Sequence, residues 1–265
     1  MLYLRKPIGL VLQNKDHTAN NNSHGPSSLS PVLGSPQDIE QLEENPLPRA
    51  KQCLQQCLLL LSKNKTERNK RQDLVLLSAR LSMSYIYLDE RNYHKALEYA
   101  DLVLNSSKIQ KNDDSTNPST TLVQSTIQRQ LATARMYASE ASCAMGDVTR
   151  SMSYLLAENG SNDAIDKLAS SLAGVTLEVA SNHPQGKARL AKAQAMVRCN
   201  ASAVTANLNH LAPAKQLAMS AQAMEGAYMS SSSTGEESYA KRVLIYCMLR
   251  EGNSEAALTL LRSTR

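Results

Sequence analysis

Residues 76–105 read LLSARLSMSYIYLDERNYHKALEYADLVLN. Leu74, Leu77, Leu81, Tyr85 and Leu88 fall at steps of three or four, which places them on one face of a helix with about 3.6 residues per turn. After the polar break at residues 89–92, Tyr93, Ala96, Leu97, Ala100, Val103 and Leu104 repeat that period. A break this short joins two antiparallel helices and little else. Ser84 on the first arm and Ala96 on the second stand where the arms would cross. Helix axes about 8–10 Å apart need small side chains at that contact, because larger ones hold the backbones apart.

The unit recurs. Residues 130–159, QLATARMYASEASCAMGDVTRSMSYLLAEN, put Gly146 in the turn and Ser151 at the crossing. Residues 238–263, SYAKRVLIYCMLREGNSEAALTLLRS, put Gly252 and Ala257 in those roles. A weaker copy, KARLAKAQAMVRCNASAVTANLNHL at residues 187–211, is expected to turn at Asn200, with Val204 after it. On that reading the turn residues Asn92, Asp147, Asn200 and Asn253 are 55, 53 and 53 residues apart. About twenty residues beyond a 34-residue repeat then separate successive pairs. Two further stripes are expected to fill part of that surplus as extra helices: Ile165, Leu168, Leu172, Val175 and Val179, and Leu217, Ala221, Met224 and Tyr228.

The first unit resembles the tetratricopeptide pattern, with Ser84 at its eighth position, Tyr87 at the eleventh, Tyr93 at the seventeenth and Ala96 at the twentieth. Arg91 occupies the turn position where Gly is usual. The expected fold is all-α: tetratricopeptide-like antiparallel helix pairs over residues 45–265, stacked as an α-solenoid. Composition agrees, since Gly and Pro together are 19 of 265 residues, well below the roughly 12% of average chains. There is no Phe and no Trp, so Leu, Ala, Met, Val and Tyr must fill the core. That suits closely packed helices better than a sheet.

Residues 1–12, MLYLRKPIGLVL, are apolar but interrupted by Arg5, Lys6 and Pro7, and are too short for a secretory signal or a membrane span. They read as the remnant of an upstream helix, which makes the chain a fragment or a short isoform. Residues 13–44 are mostly polar and rich in Asn, Ser, Gly and Pro, and cannot bury enough apolar surface to offset chain entropy, so a disordered linker is expected. Within it Ser30-Pro31 and Ser35-Pro36 are ordinary linker composition that proline-directed phosphorylation could also use. Residues 110–120 and 230–235 are expected to be further flexible breaks.

Five cysteines without an export signal argue for reduced thiols. Cys53 and Cys57 lie four apart on one predicted helix face, yet no second pair or nearby His completes a tetrahedral zinc site. They are expected to be buried small apolar residues. No metal and no cofactor is expected. There is no Gly-rich phosphate loop, no G-x-S-x-G elbow and no H-E-x-x-H, and the five histidines are scattered. The expectation is that this is not an enzyme. A formal charge of +5 and the run KNKTERNKR at residues 63–71 leave direct RNA contact open, but without aromatic interleaving a solvated loop fits the run better.

In order, RAKQCLQQCLLLLSKN, LLSARLSMSYIYLDERNYHKALEYADLVL, ARMYASEASCAMGDVTRSMSYLLAEN and VLIYCMLREGNSEAALTLLR resemble the C-terminal half of the tenth-subunit family of the CCR-NOT deadenylase complex. The likeness spans residues 45–265 and departs most over residues 185–235. What it implies is a non-catalytic adaptor, cytoplasmic and nuclear, that joins the eleventh subunit and through it the complex's large scaffold, acting in messenger RNA turnover and translational repression. No membrane association follows from it. The alternative is a free-standing tetratricopeptide peptide receptor. Tyr85 and Asp89 are the candidate partner-binding residues of the groove, against the plainer reading that Tyr85 packs on the neighbouring helix.

Overall fold

A computed structural model describes residues 46–63, 69–106, 118–156, 162–174, 184–229 and 238–263. Those residues form ten helices and, among them, no strand: α1 Pro46–Lys63, α2 Lys70–Asp89, α3 Tyr93–Ser106, α4 Pro118–Ala144, α5 Val148–Leu156, α6 Asn162–Ala173, α7 Pro184–Asn207, α8 Leu211–Met229, α9 Tyr239–Arg250 and α10 Ser254–Arg262. The fold is all-α. Residues 1–12 and 13–44, with Ser30 and Ser35, lie outside the described residues, as do residues 64–68 of the basic run and residues 230–235.

Four antiparallel pairs, α2–α3, α4–α5, α7–α8 and α9–α10, are closed by one and the same corner. Each has a single residue in the left-handed region: Arg91 (φ 58°), Gly146 (85°), Asn209 (63°) and Gly252 (80°). Its N–H donates to the carbonyl three residues back, at 3.0 Å to Leu88, Cys143 and Ala206 and 3.1 Å to Leu249. The next N–H reaches back five residues, from Asn92 to Tyr87, Asp147 to Ser142, His210 to Thr205 and Asn253 to Met248, at 2.8–3.1 Å. Together these satisfy carbonyls that a helix end would otherwise leave bare.

The residue after the left-handed one then caps the second helix. Asn92 Oδ1 accepts from the Lys95 N–H (3.4 Å), Asp147 Oδ1 from Arg150 (3.0 Å) and Asn253 Oδ1 from Ala256 (3.2 Å), as N-cap residues do. In the third pair His210 stands there, and the position that would donate is Pro213. Proline has no N–H, so the missing acceptor costs nothing.

Counting from each corner fixes the crossing. Five residues on are Ala96, Ser151, Ala214 and Ala257, all buried; seven residues back are Ser84, Ser139, Ser202 and Ile245. Ser84 Oγ donates to the Ala96 carbonyl at 2.7 Å and Ser202 Oγ to the Ala214 carbonyl at 2.6 Å, while Ser139 Oγ and Ser151 Oγ share a bond of 2.8 Å. A short hydroxyl therefore draws the two backbones together and is itself satisfied in a dry contact. The last pair has Ile245 at this position and no such bond can form.

The third pair departs from the sequence reading. Asn200 lies in the middle of α7 and is buried, as is Val204; the chain turns nine residues later, at Asn209. The turn residues are thus 55, 63 and 43 apart rather than nearly equal. Asn tolerates the left-handed conformation at a corner, but it is also at home inside a helix with a satisfied side chain, and sequence spacing alone chose the wrong one. The stripe Leu217, Ala221 and Met224 consequently belongs to the second arm of this pair, not to an extra helix. Helix α6 is an added helix, with Ile165, Leu168 and Leu172 buried; Val175 and Val179 lie outside the described residues. Residues 118–120, expected to be flexible, open α4, with Pro118 at the first turn, where its missing donor is harmless.

Stacking follows chain order. Helix α4 packs on α2 and α3, α6 on α4, α7 on α5 and α6, and α9 on α7 and α8, so the first three pairs bury their apolar faces on their neighbours. Helix α2, held by α1, α3 and α4, is covered on more than one side. Its buried residues are Leu76, Leu77, Ala79, Met83, Ser84, Ile86 and Tyr87. Of the stripe read from the sequence only Leu77 is buried; Leu74, Leu81, Tyr85 and Leu88 are half-buried.

Candidate interaction surface

Tyr85 sits on the seam between the first two pairs. Its ring lies 6.0 Å from that of Tyr137 on α4, tilted by 40°. Burial raises the Tyr85 phenol above its ordinary pKa, and the Asp89 and Glu140 carboxylates raise it further. Tyr137 is buried, and its phenol is pushed up first by that burial and then by Tyr85 and the Glu140 carboxylate. Both rings stay neutral under any ordinary condition. Asp89, the other candidate, is exposed at the end of α2. The structure therefore brings Tyr85, Asp89, Tyr137 and Glu140 together, with Tyr85 packed half on its neighbour helix and half open. Beside this seam an open, shallow depression is lined by Glu90, Arg91, Asn92, Tyr93, His94, Ala144 and Met145.

The joints between units are polar and had no signal in the sequence reading. Lys51 Nζ binds Glu90 at 2.6 Å and lies 4.4 Å above the Tyr87 ring, which stacks on Tyr99 at 5.6 Å. Lys215 Nζ binds Glu251 at 2.7 Å. Glu90 and Glu251 each immediately precede the left-handed residue of a corner, and the lysines lie in matching triplets, Ala50-Lys51-Gln52 and Ala214-Lys215-Gln216. Helix α1 therefore occupies the place of a second arm, in register with α8. Ala50 is exposed where Ala214 is fully buried.

Between α3 and α5, Arg150 donates to Asp101 at 2.9 Å and the Tyr154 hydroxyl donates to the same carboxylate at 2.8 Å. Between α6 and α7, the buried guanidinium of Arg198 donates to Asp166 at 2.8 Å, and Gln194 Nε2 donates to the same oxygen at 3.1 Å. Matched charge with added hydrogen bonds makes such a buried pair tolerable and fixes the register of the two helices.

No family model, curated protein or solved structure matches this chain. What the site can do rests on its own chemistry. Burial raises the thiols of Cys143 and Cys247, and that of Cys199 to about 12, so these sulfurs are protonated and poor nucleophiles at neutral pH. Cys53 is exposed and Cys57 half-buried, which corrects the expectation of burial: they lie on α1, whose main neighbour among the described residues is α2. Among the described residues, no group of three or more His, Cys, Asp or Glu side chains is placed to hold a metal ion, and no helix is long and apolar enough to cross a membrane.

Proposed function

We propose that this chain is a non-catalytic scaffold that presents helical-repeat surfaces to other proteins, and that the assembly it serves is the CCR-NOT messenger RNA deadenylation complex. The observation that carries the scaffold reading is the repetition of one corner in four successive pairs, each with a small buried residue where its arms cross. Such construction yields a stiff extended surface and no central pocket. The polar joints at Lys51–Glu90, Asp101–Arg150, Asp166–Arg198 and Lys215–Glu251 support it, because a surface whose units keep a fixed register offers a partner a preformed shape and avoids the cost of ordering it on binding. The choice of complex, with the eleventh subunit as nearest partner and a cytoplasmic and nuclear location, rests on the sequence resemblance over residues 45–265.

Affinity purification of the tagged chain, with partners identified by mass spectrometry, tests both levels. Deadenylase subunits in stoichiometric yield are expected. Chaperones in their place would favour a peptide receptor, with Tyr85 and Asp89 in its groove. RNA retained by the pure protein, lost at high salt and on neutralising the basic residues of the run 63–71, would favour an RNA-associated repeat protein.

A further inference from the structure

The first arms of the first three pairs, α2, α4 and α7, share a strip that carries negative charge and no positive charge. Two, three and six residues before the left-handed corner residue, it holds Asp89, Leu88 and Tyr85 on α2, Cys143 and Glu140 on α4, and Asn207 on α7; the other three positions are alanines. These nine positions include two carboxylates and no Lys, Arg or His, in a chain of formal charge +5. The strip runs on from pair to pair: the Tyr85 ring stands 6.0 Å from that of Tyr137, and Asn207 Nδ2 reaches Cys143 Sγ at 3.9 Å. Burial is the largest influence on the Tyr85, Tyr137 and Cys143 groups, and the Glu140 carboxylate pushes all three further up, as Asp89 does Tyr85. One negative field therefore covers the seam. Asp89 is exposed, while Tyr85, Leu88, Glu140 and Cys143 are half-buried; Arg91 and His94 stand outside the strip, in the depression at the corner.

The chain itself carries a segment of matching chemistry. Residues 1–12, MLYLRKPIGLVL, set Arg5 and Lys6 among apolar side chains and include no acidic residue. Residues 13–45 hold one lysine and no arginine against Asp16, Asp38, Glu40, Glu43 and Glu44, so the cationic pair ahead of α1 stands at positions 5 and 6. The tether joins the array at the right place. Pro46 opens α1, Lys51 on the same helix binds Glu90 at 2.6 Å, and Glu90 adjoins Asp89. The 33 residues from 13 to 45 can span at most roughly 110–120 Å, at about 3.3–3.6 Å each. That far exceeds the two helix spacings of about 8–10 Å that lead from α1 to α2 and from α2 to α4. A tethered segment meets its site at an effective concentration on the order of millimolar, so modest contacts hold it there.

We propose that residues 1–12 of this chain dock on the strip, with Arg5 and Lys6 against Asp89 and Glu140 and the flanking apolar side chains against Tyr85 and Leu88. Pro7 excludes one uninterrupted helix and suits a segment laid extended along the first arms. The groove then has an internal occupant, which competes with anything else that binds there. The inference concerns the chain alone and holds whichever complex it serves.

Carbodiimide coupling of the full chain, which joins an amine directly to a carboxylate in contact with it, tests the proposal. A link from Lys6 to Asp89 or Glu140 is expected within one chain, beside a Lys51–Glu90 link that serves as the internal control. Amide hydrogen exchange over residues 2–12 is expected to be at least tenfold slower in the unaltered chain than in R5E/K6E, and to slow again when R5E/K6E is combined with D89K/E140K. Absence of the Lys6 links while the control link forms, or equal exchange in the unaltered chain and R5E/K6E, would overturn the inference. So would Lys6 links that, in a mixture of isotopically light and heavy chains, join one copy to another. Should the fourfold variant lose its helical circular dichroism, the links and the R5E/K6E comparison decide, since neither alters a helix of the array.

Discussion

The pairs α2–α3 and α9–α10 share the backbone hydrogen bonds of the corner and differ at the crossing and on the outer face. In the first, a serine hydroxyl locks the crossing and a following helix seals the outer face. In the second, Ile245 replaces the serine and the outer leucines, Leu249, Leu258 and Leu261, are exposed. The same local instructions thus give a covered unit in one place and, among the described residues, an uncovered one in the other. What separates them is the presence of a neighbour, and neighbours supply most of the stability of a helical pair.

The comparison can be pressed hardest in the core. Met83 is fully buried, so Met83→Ala is expected to cost about 2–5 kcal/mol, while Leu249→Ala at the open end is expected to stay within roughly 0.5 kcal/mol; chemical denaturation followed by circular dichroism measures both, and similar losses would mean the end is not open. Removing the lock is the next test. Ser84→Ala and Ser202→Ala are each expected to destabilise by about 1 kcal/mol, and Ile245→Ser is expected to gain nothing comparable unless the last crossing tightens around the new hydroxyl.

The corners give effects of about the same size or smaller. Gly252→Ala, at φ 80°, is expected to lose about 1 kcal/mol, and Arg91→Gly to gain a few tenths up to about 1 kcal/mol, because only glycine adopts that backbone without strain. If Gly252→Ala proves neutral, the corner is not held in the geometry described. The smallest expected effect is that of Lys51→Met, within about 1 kcal/mol and diminishing in high salt, as exposed ion pairs behave.

One joint responds to pH. Glu225, on α8, accepts a hydrogen bond from Ser238, the N-cap of α9; burial raises its pKa, and that bond partly lowers it again. A carboxyl whose folded pKa is raised contributes its stability below the unfolded value and loses it as pH climbs through the folded one. Glu225→Gln is therefore expected to raise the melting temperature at pH 7 and leave it nearly unchanged near pH 4. The opposite order would show that the Ser238 bond outweighs desolvation.

Much of the architecture could be read from residues alone, and the reasons are local. Corners at Gly146 and Gly252 announce themselves because a left-handed residue followed by Asp or Asn is a turn whatever surrounds it. The corner at Asn209 does not, since Asn200 offered an equally good local signal and only tertiary packing sets it inside α7. Helix α2 misled in another way: a helix covered on more than one side has no single apolar stripe, so the periodicity at Leu74 to Leu88 picked its half-buried side over the one built on Met83. At the candidate surface, Tyr85 and Asp89 could be chosen from helix register, but their meeting with Tyr137 and Glu140 joins residues some fifty positions apart. No sequence period encodes that, nor the reach of Lys51 to Glu90.

Because each helix packs mainly on elements close to it in the chain, the side-chain hydrogen bonds between helices join residues no more than 64 positions apart and can form soon after the next unit exists. Low separation between contacting residues favours rapid folding and lets a polypeptide assemble while it is still being synthesised. It also means the array need not melt in one step: amide hydrogen exchange should be fastest in α10 and slowest in α4 and α7, a gradient from rim to middle along a single polypeptide.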